Sequence, residues 1–228
     1  MSISNIDRSK FDQMVQAAAT TLNNNAEFIN SLNVFPVPDG DTGTNMSMSF
    51  QSGADYVSRD TSESVGELSQ SLAKGLLMGA RGNSGVILSQ IFRGFSKSVA
   101  EKDNLSAQDI VEAFKNSEKT AYGSVMKPTE GTILTVIRGI SEAGQSATTN
   151  DLAELFDILA DAAEQALQST PDLLPVLKQV GVVDSGGQGL VFVVKAFSDV
   201  LNGREIESSH QPNTGEMDQM IDASHEQS

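Results

Sequence analysis

Apolar residues recur along this chain at helical spacing. Phe11, Met14, Val15, Ala18 and Leu22 follow the i, i+3, i+4, i+7 pattern behind Asp7, a residue suited to capping a helix start. The same period predicts a second helix from near Asn45 (Met46, Met48, Phe50) and a third from about Ser64 (Val65, Leu68, Leu72, Leu76, Leu77). A fourth starts at Ser84 with Val86, Ile87, Ile91, Phe92 and Phe95 apolar. Ser106 or Asp109 caps a fifth carrying Ile110, Val111, Phe114 and Ala121. Thr132 opens a sixth through Ile133, Leu134, Val136, Ile137 and Ile140, and Asp151 caps a seventh through Leu152, Leu155, Phe156, Leu159, Ala162, Ala163 and Leu167. The last segment, Gly189 to Phe197, is rich in β-branched residues and could be read as a buried strand. Spacing that continues to Leu201 favours a buried helix.

These are eight helices with short connections, no hairpin signal and no repeat of solenoid length. The expected fold is all-α, an antiparallel eight-helix bundle.

Composition adds a boundary. The chain has 228 residues, with 30 acidic against 15 basic side chains and a net charge of −15. Residues 205–228 hold six acidic residues and no Lys or Arg, which leaves −9 for residues 1–204. A folded domain is expected over 1–203, followed by an acidic linker or tail over 204–228. The charge argues against nucleic acid and against anionic membrane surfaces. Absence of Cys removes disulfides, thiol catalysis and Cys-based metal sites. The two His residues, His210 and His225, lie in the tail, so a His base inside the domain is not expected. No segment has signal-peptide or transmembrane character, and the expected location is cytoplasmic.

The helical pattern breaks in three chemically distinct places. Asn33 to Met46 reads Asn-Val-Phe-Pro-Val-Pro-Asp-Gly-Asp-Thr-Gly-Thr-Asn-Met. Pro36 and Pro38 force an extended approach, Gly40 and Gly43 permit turns, and Asp39 and Asp41 can converge on a hard cation such as Mg²⁺. A polar turn capping the next helix is the plainer alternative. An EF-hand is excluded because the twelfth position from Asp39 is Phe50, not Glu. A haloacid-dehalogenase-type Asp-x-Asp-x-Thr is excluded because the fifth position is Gly43 and prolines break the required strand.

The second break, Met78 to Gly85, leads glycines and small residues into an apolar helix. Its N–H groups suit an anion, though it is no Walker motif and an ordinary helix–helix turn reads equally well. The third comprises Met126–Thr132 and Val183–Gly189, each placing Gly and a small polar residue at a helix mouth; ordinary capping explains each alone. In an up-and-down bundle alternate loops share one end, so all these breaks can meet on one rim. An anionic protein that holds a nucleotide there needs a bridging cation.

These segments resemble the N-terminal nucleotide-binding domain of bacterial fatty acid kinase A subunits. They are more distantly similar to the ATP-binding L subunit of dihydroxyacetone kinases. The resemblance covers about residues 5–203 in order, and its Asp-Gly-Asp segment is highly specific. It implies an eight-helix barrel with ATP at one rim and two Mg²⁺ ions held by Asp39 and Asp41, the residues at the reaction centre. Asn33 stands near where dihydroxyacetone kinases carry a third Asp, one residue off in spacing, and the resemblance carries it over as a further metal ligand. The resemblance further places Gly82, Asn83 and Ser84 at the phosphates, Thr132, Asp184 and Gly186 near base and sugar, and Thr44 and Asn45 beside metals or phosphates.

The implied reaction moves the terminal phosphoryl group of ATP to the carboxylate of a fatty acid presented by a separate fatty-acid-binding carrier protein. The product is an acyl phosphate. Such A subunits continue into further domains, through which a homodimer would form. The chain is therefore read as a truncated form or a stand-alone homologue, competent at least in nucleotide binding. Two other readings stand: the ATP-binding subunit of a dihydroxyacetone-type kinase, whose partner would supply a substrate-binding His, and a non-catalytic helical module that binds a cation or a partner.

Overall fold

A computed structural model describes residues 2–206; the acidic tail, with His210 and His225, lies outside the described residues from position 207 onward. The described chain is all-helical: α1 (Arg8–Ser31), α2 (Thr42–Arg59), α3 (Val65–Met78), α4 (Gly82–Val99), α5 (Ala107–Gly123), α6 (Ile133–Ser146), α7 (Leu152–Leu173), α8 (Pro175–Val180) and α9 (Ser185–Leu201). The only β feature among the described residues is a single antiparallel bridge between Ile6 and Leu105. No helix there is long and apolar enough to cross a membrane.

The helix starts follow the capping chemistry. Asp7 accepts the Lys10 N–H at 2.8 Å, Ser64 that of Glu67 at 3.1 Å, and Asp151 that of Ala153 at 3.0 Å. Ser106 and Asp109 both serve, as the two halves of a capping box.

Three starts fall earlier than the periodicity suggested: α2 at Thr42 rather than Asn45, α4 at Gly82 rather than Ser84, and α9 at Ser185 rather than Gly189. In each the first turn carries Gly, Ser, Thr or Asn, so apolar spacing gives no signal there. The short α8 was not foreseen. Pro175 opens it and Gly181, at φ +83°, ends it, and its Leu177 packs with Leu32 and Val182 beneath the α1–α2 loop.

Each long helix packs on the long helix that follows it, and α9 also packs on α1, closing the eight long helices into a ring. The segment read as either strand or helix is α9. Leu190, Val193 and Val194 are fully or almost fully buried, which explains its unbroken hydrophobicity.

The interior at one end is a closed cycle of five aromatic rings. Phe92 meets Phe95 at 6.1 Å, Phe95 meets Phe114 at 5.4 Å, Phe114 meets Phe156 at 6.2 Å, Phe156 meets Phe197 at 6.2 Å, and Phe197 returns to Phe92 at 6.3 Å. Most pairs are edge-to-face, the arrangement that ring quadrupoles favour. The N-terminal segment straps this end, with Ile3 bonded to Asp151 and Leu152 and Ile6 to Leu105. The α1–α2, α3–α4, α5–α6 and α7–α9 connections therefore share the opposite end.

Candidate functional site

The α1–α2 loop is shaped by two asparagines of α1's end. Asn33 is almost fully buried; its Oδ1 accepts the N–H groups of Asp41 and Thr42, both at 3.2 Å, while its Nδ2 donates to the Val37 carbonyl at 3.1 Å. Asn30 accepts the Thr44 N–H at 3.1 Å and donates to Thr44 Oγ1 at 3.0 Å. Asp41 is the N-cap of α2, yet its side chain makes no capping bond. Asp39 and Asp41 are both exposed and their carboxyls meet. A hydrogen bond shared with Asp41, some loss of solvent and repulsion from the Asp41 charge push the Asp39 carboxyl up from 3.8.

On a neighbouring wall α4 begins at Gly82, whose φ of +66° belongs to the left-handed region. A Cβ at Gly82 would stand 2.6 Å from Asn45 Nδ2. The N-cap, Arg81, offers no side-chain cap; its own N–H goes to Ser49 Oγ at 3.0 Å. The opening turn of α4 thus keeps its dipole end uncapped by any side chain, in a form suited to anions.

The third wall joins two more helix starts. Thr132 Oγ1 accepts the Leu134 N–H at 3.3 Å and donates to the Thr129 carbonyl at 2.7 Å. Asp184 accepts the Gly187 N–H at 2.8 Å and that of Ile133, and its own N–H donates to Thr170 Oγ1 at 3.1 Å. Burial pushes its carboxyl up from 3.8 to about 6, against the opposing pull of the two backbone donors.

These walls enclose one cleft of about 610 Å³. Asn33, Asp39, Asp41, Asn45, Gly82, Asn83, Ser84, Thr132, Asp184 and Gly186 all line it. Thr44 does not: its backbone and hydroxyl face Asn30 on the exposed side of α2. Asn33 also departs from expectation, because the oxygen that would face a metal is taken by two backbone donors.

Two features carry no signal in the apolar pattern: Asn30, and a polar cluster behind the α5–α6 loop. There Glu130 receives Tyr122 Oη at 2.9 Å, Arg138 Nη1 at 2.8 Å and Nη2 at 3.0 Å, and the Thr135 hydroxyl. Burial alone would raise the Glu130 carboxyl, but the Thr135 and Tyr122 hydroxyls and the Arg138 charge hold it below its usual 4.5. Its signal in the sequence was Tyr122 and Arg138 flanking Glu130 at equal distance, a spacing with no fixed meaning until the loop is folded.

The donor set fits Mg²⁺. No group of three or more Asp, Glu, His or Cys converges among the described residues. Mg²⁺ is typically held by one or two carboxylates, with water and phosphate oxygens completing its shell. Asp39 and Asp41 supply that number, and an uncapped helix start lines the same cleft.

Large apolar side chains are also gathered here. Val37, Met48, Leu77, Met78, Val86, Met126 and Leu173 are the exposed ones among the described residues. All belong to loops or helix halves at the cleft end.

Known proteins share both the sequence and the fold. The chain is 50% identical over 206 residues to an uncharacterized protein of Staphylococcus saprophyticus, covering 90% of this chain and 37% of that one. It is 48% identical over 218 residues to an uncharacterized protein of Staphylococcus haemolyticus, covering 94% and 40%. This chain therefore spans about two fifths of the curated relatives it matches.

Among solved structures it is similar to the dihydroxyacetone kinase of C. freundii in complex with AMP-PNP and Mg²⁺. That match has a TM-score of 0.65 and 19% identity, and covers 87% of this chain and 34% of that one. The native form of the same kinase gives a TM-score of 0.60 at 18% identity over 84% of this chain and 34% of that one. The helical ring is thus a known architecture. A profile of the DAK2 domain matches residues 36–199, from the proline loop through most of α9, and the chain belongs to the DAK2 domain family.

Proposed function

We propose that this chain is the ATP- and Mg²⁺-binding domain of a kinase whose acceptor is the carboxylate of a fatty acid held by a separate carrier protein. The observation that carries the reading is the exposed Asp39–Asp41 pair lining the same cleft as the uncapped N-terminus of α4. Asp39 and Asp41 would hold Mg²⁺, and the N–H groups of Gly82, Asn83 and Ser84 would receive phosphate oxygens. Thr132, Asp184 and Gly186, at the mouths of α6 and α9, would face the nucleoside, and Asn45, beside Gly82, would stand at the phosphates. Thr44 is left out of this set because it faces Asn30.

The bound metal neutralises phosphate charge in a phosphoryl transfer that asks mainly for positioning. A carboxylate acceptor is already ionised at neutral pH, so it needs no protein base. The acceptor would arrive from another protein, for which the apolar side chains around the cleft form a landing surface. ATP supply places this activity in the cytoplasm, and homodimerisation would use domains outside this chain. The alternative acceptor, dihydroxyacetone, is supported by the likeness to the C. freundii enzyme, a likeness of fold.

Calorimetry with AMP-PNP tests the site. Binding is expected to require Mg²⁺ and to vanish in the double variant Asp39→Ala, Asp41→Ala. Unchanged affinity in that variant sinks the proposal. Incubation with ATP, Mg²⁺ and either a fatty-acid-loaded carrier or dihydroxyacetone with its binding subunit then separates the acceptors. Metal binding without nucleotide binding would favour a non-catalytic module.

A further inference from the structure

An aspartate at a helix N-cap ordinarily spends its carboxylate on the N–H groups of the first turn. Asp41 does not. Its place is taken by the last turn of the preceding helix and the residue just past its cap: Asn33 Oδ1 receives the N–H groups of Asp41 and Thr42, and Asn30 Oδ1 receives that of Thr44. Both amides are fixed in orientation by their second group, since Nδ2 of Asn33 donates to the Val37 carbonyl and Nδ2 of Asn30 to Thr44 Oγ1. Reversing either amide would set donor against donor.

The choice of Asn follows from the same bonds. An aspartate at 33 could accept the two N–H groups, but it could not donate to Val37 and would add a third negative charge beside the Asp39–Asp41 pair. A serine is too short to span from the end of α1 to α2. The amides thus cap α2 without charge and keep the Asp41 carboxylate out of the cap.

We infer that Asn30 and Asn33 are positioning residues for the cation site, capping α2 from outside so that Asp39 and Asp41 remain available as ligands. This rests on the metal-binding reading proposed above. It reassigns Asn33 from ligand to support and adds Asn30, which lines no part of the cleft. Supporting groups of this kind commonly set metal affinity within roughly 10–100-fold.

The test is Mn²⁺ affinity by electron paramagnetic resonance in the presence of AMP-PNP, on the full chain. Asn30→Ala is expected to weaken Mn²⁺ binding about 10-fold although Asn30 touches no metal. Asn30→Asp is expected to restore it, because the carboxylate still accepts the Thr44 N–H and can accept the Thr44 hydroxyl. A merely structural role would lower the melting temperature of Asn30→Ala and leave the Mn²⁺ affinity of the folded protein unchanged; that result overturns the inference.

Amide hydrogen exchange on the metal-free wild type provides an arm that needs no variant. The N–H groups of Asp41, Thr42 and Thr44 should exchange slowly, and fast exchange at Asp41 and Thr42 also overturns the inference. If the wild type binds no Mn²⁺ at all, the functional reading falls and this inference with it. If the wild type binds and Asn30→Ala binds equally tightly, only this inference falls.

Discussion

The Asp184 carboxylate accepts the Ile133 N–H as well as the Gly187 N–H, so one buried side chain caps two helices, α6 and α9, at the cleft wall. Helix starts carry partial positive charge, and two of them converge on a single carboxylate. Burial nevertheless dominates and lifts Asp184 from 3.8 to about 6.

That lift fixes a direction for pH dependence. The folded state holds the proton more tightly than the unfolded state, so the contribution of Asp184 to stability is fully present below 3.8 and is lost as pH rises through about 6. The difference of about two units corresponds to roughly 3 kcal/mol. Urea unfolding of wild type and Asp184→Asn from pH 4 to pH 8 checks it. The wild type should lose ground against the variant by most of that amount across this range. A stability difference that stays constant with pH removes Asp184 as the titrating group.

Gly82 and Gly203 make a matched pair. Both have left-handed backbones, at φ +66° and +67°, but a Cβ at Gly82 meets Asn45 whereas one at Gly203 meets nothing within 4 Å. Alanine at either position should cost about 1–2 kcal/mol through backbone strain. Only Gly82→Ala should also weaken AMP-PNP binding, because it displaces Asn45 within the cleft and disturbs the start of α4. Equal nucleotide affinity in the two variants, measured by calorimetry, would show that the α4 start takes no part in binding.

Much of this arrangement was legible in the sequence, for reasons that also explain what was not. Helical spacing exposed the long helices that bury one face, while α9, buried nearly all round, showed as an unbroken apolar run; Asp7, Ser64, Ser106, Thr132 and Asp151 mark five of the starts by cap chemistry. Asp39, Asp41 and Gly82–Ser84 stood out because they interrupt that pattern with residues that helix interiors avoid. Asn30 stayed hidden because it sits inside α1 and acts only through Thr44, a contact that exists once two helices pack. Thr44 lies off the cleft for a related reason: neighbours of Asp41 in sequence point around the helix, and only some of them face the cleft.

The aromatic cycle lies at the end away from the cleft, which separates stability from binding. Phe156 is fully buried and meets Phe114 and Phe197 edge to face. Phe156→Ala should cost about 3–5 kcal/mol through lost burial and the cavity left behind. Under conditions where the variant remains folded, AMP-PNP affinity should stay within twofold of the wild type. A large loss of affinity in the folded variant would show that the two ends are coupled through α7 and α9.

Glu130 offers the opposite pH signature to Asp184. Its folded carboxyl lies below 4.5, so its contribution is fully present above 4.5 and is lost as pH falls through the depressed folded value. The carboxylate gathers Tyr122, Thr135 and Arg138, and Thr135 Oγ1 in turn receives the Gly131 N–H at 2.8 Å. Glu130→Gln turns one acceptor into a donor facing other donors, which leaves part of the cluster unsatisfied. The variant is expected to unfold at lower urea at pH 7, to lose less stability than the wild type between pH 5 and pH 3, and to exchange the Gly131 amide faster. Loosening this cluster frees the Ser124–Thr129 wall of the cleft, so nucleotide affinity should fall as well. A variant that matches the wild type in Gly131 exchange and in its acid limb would show that Glu130 does not hold this loop.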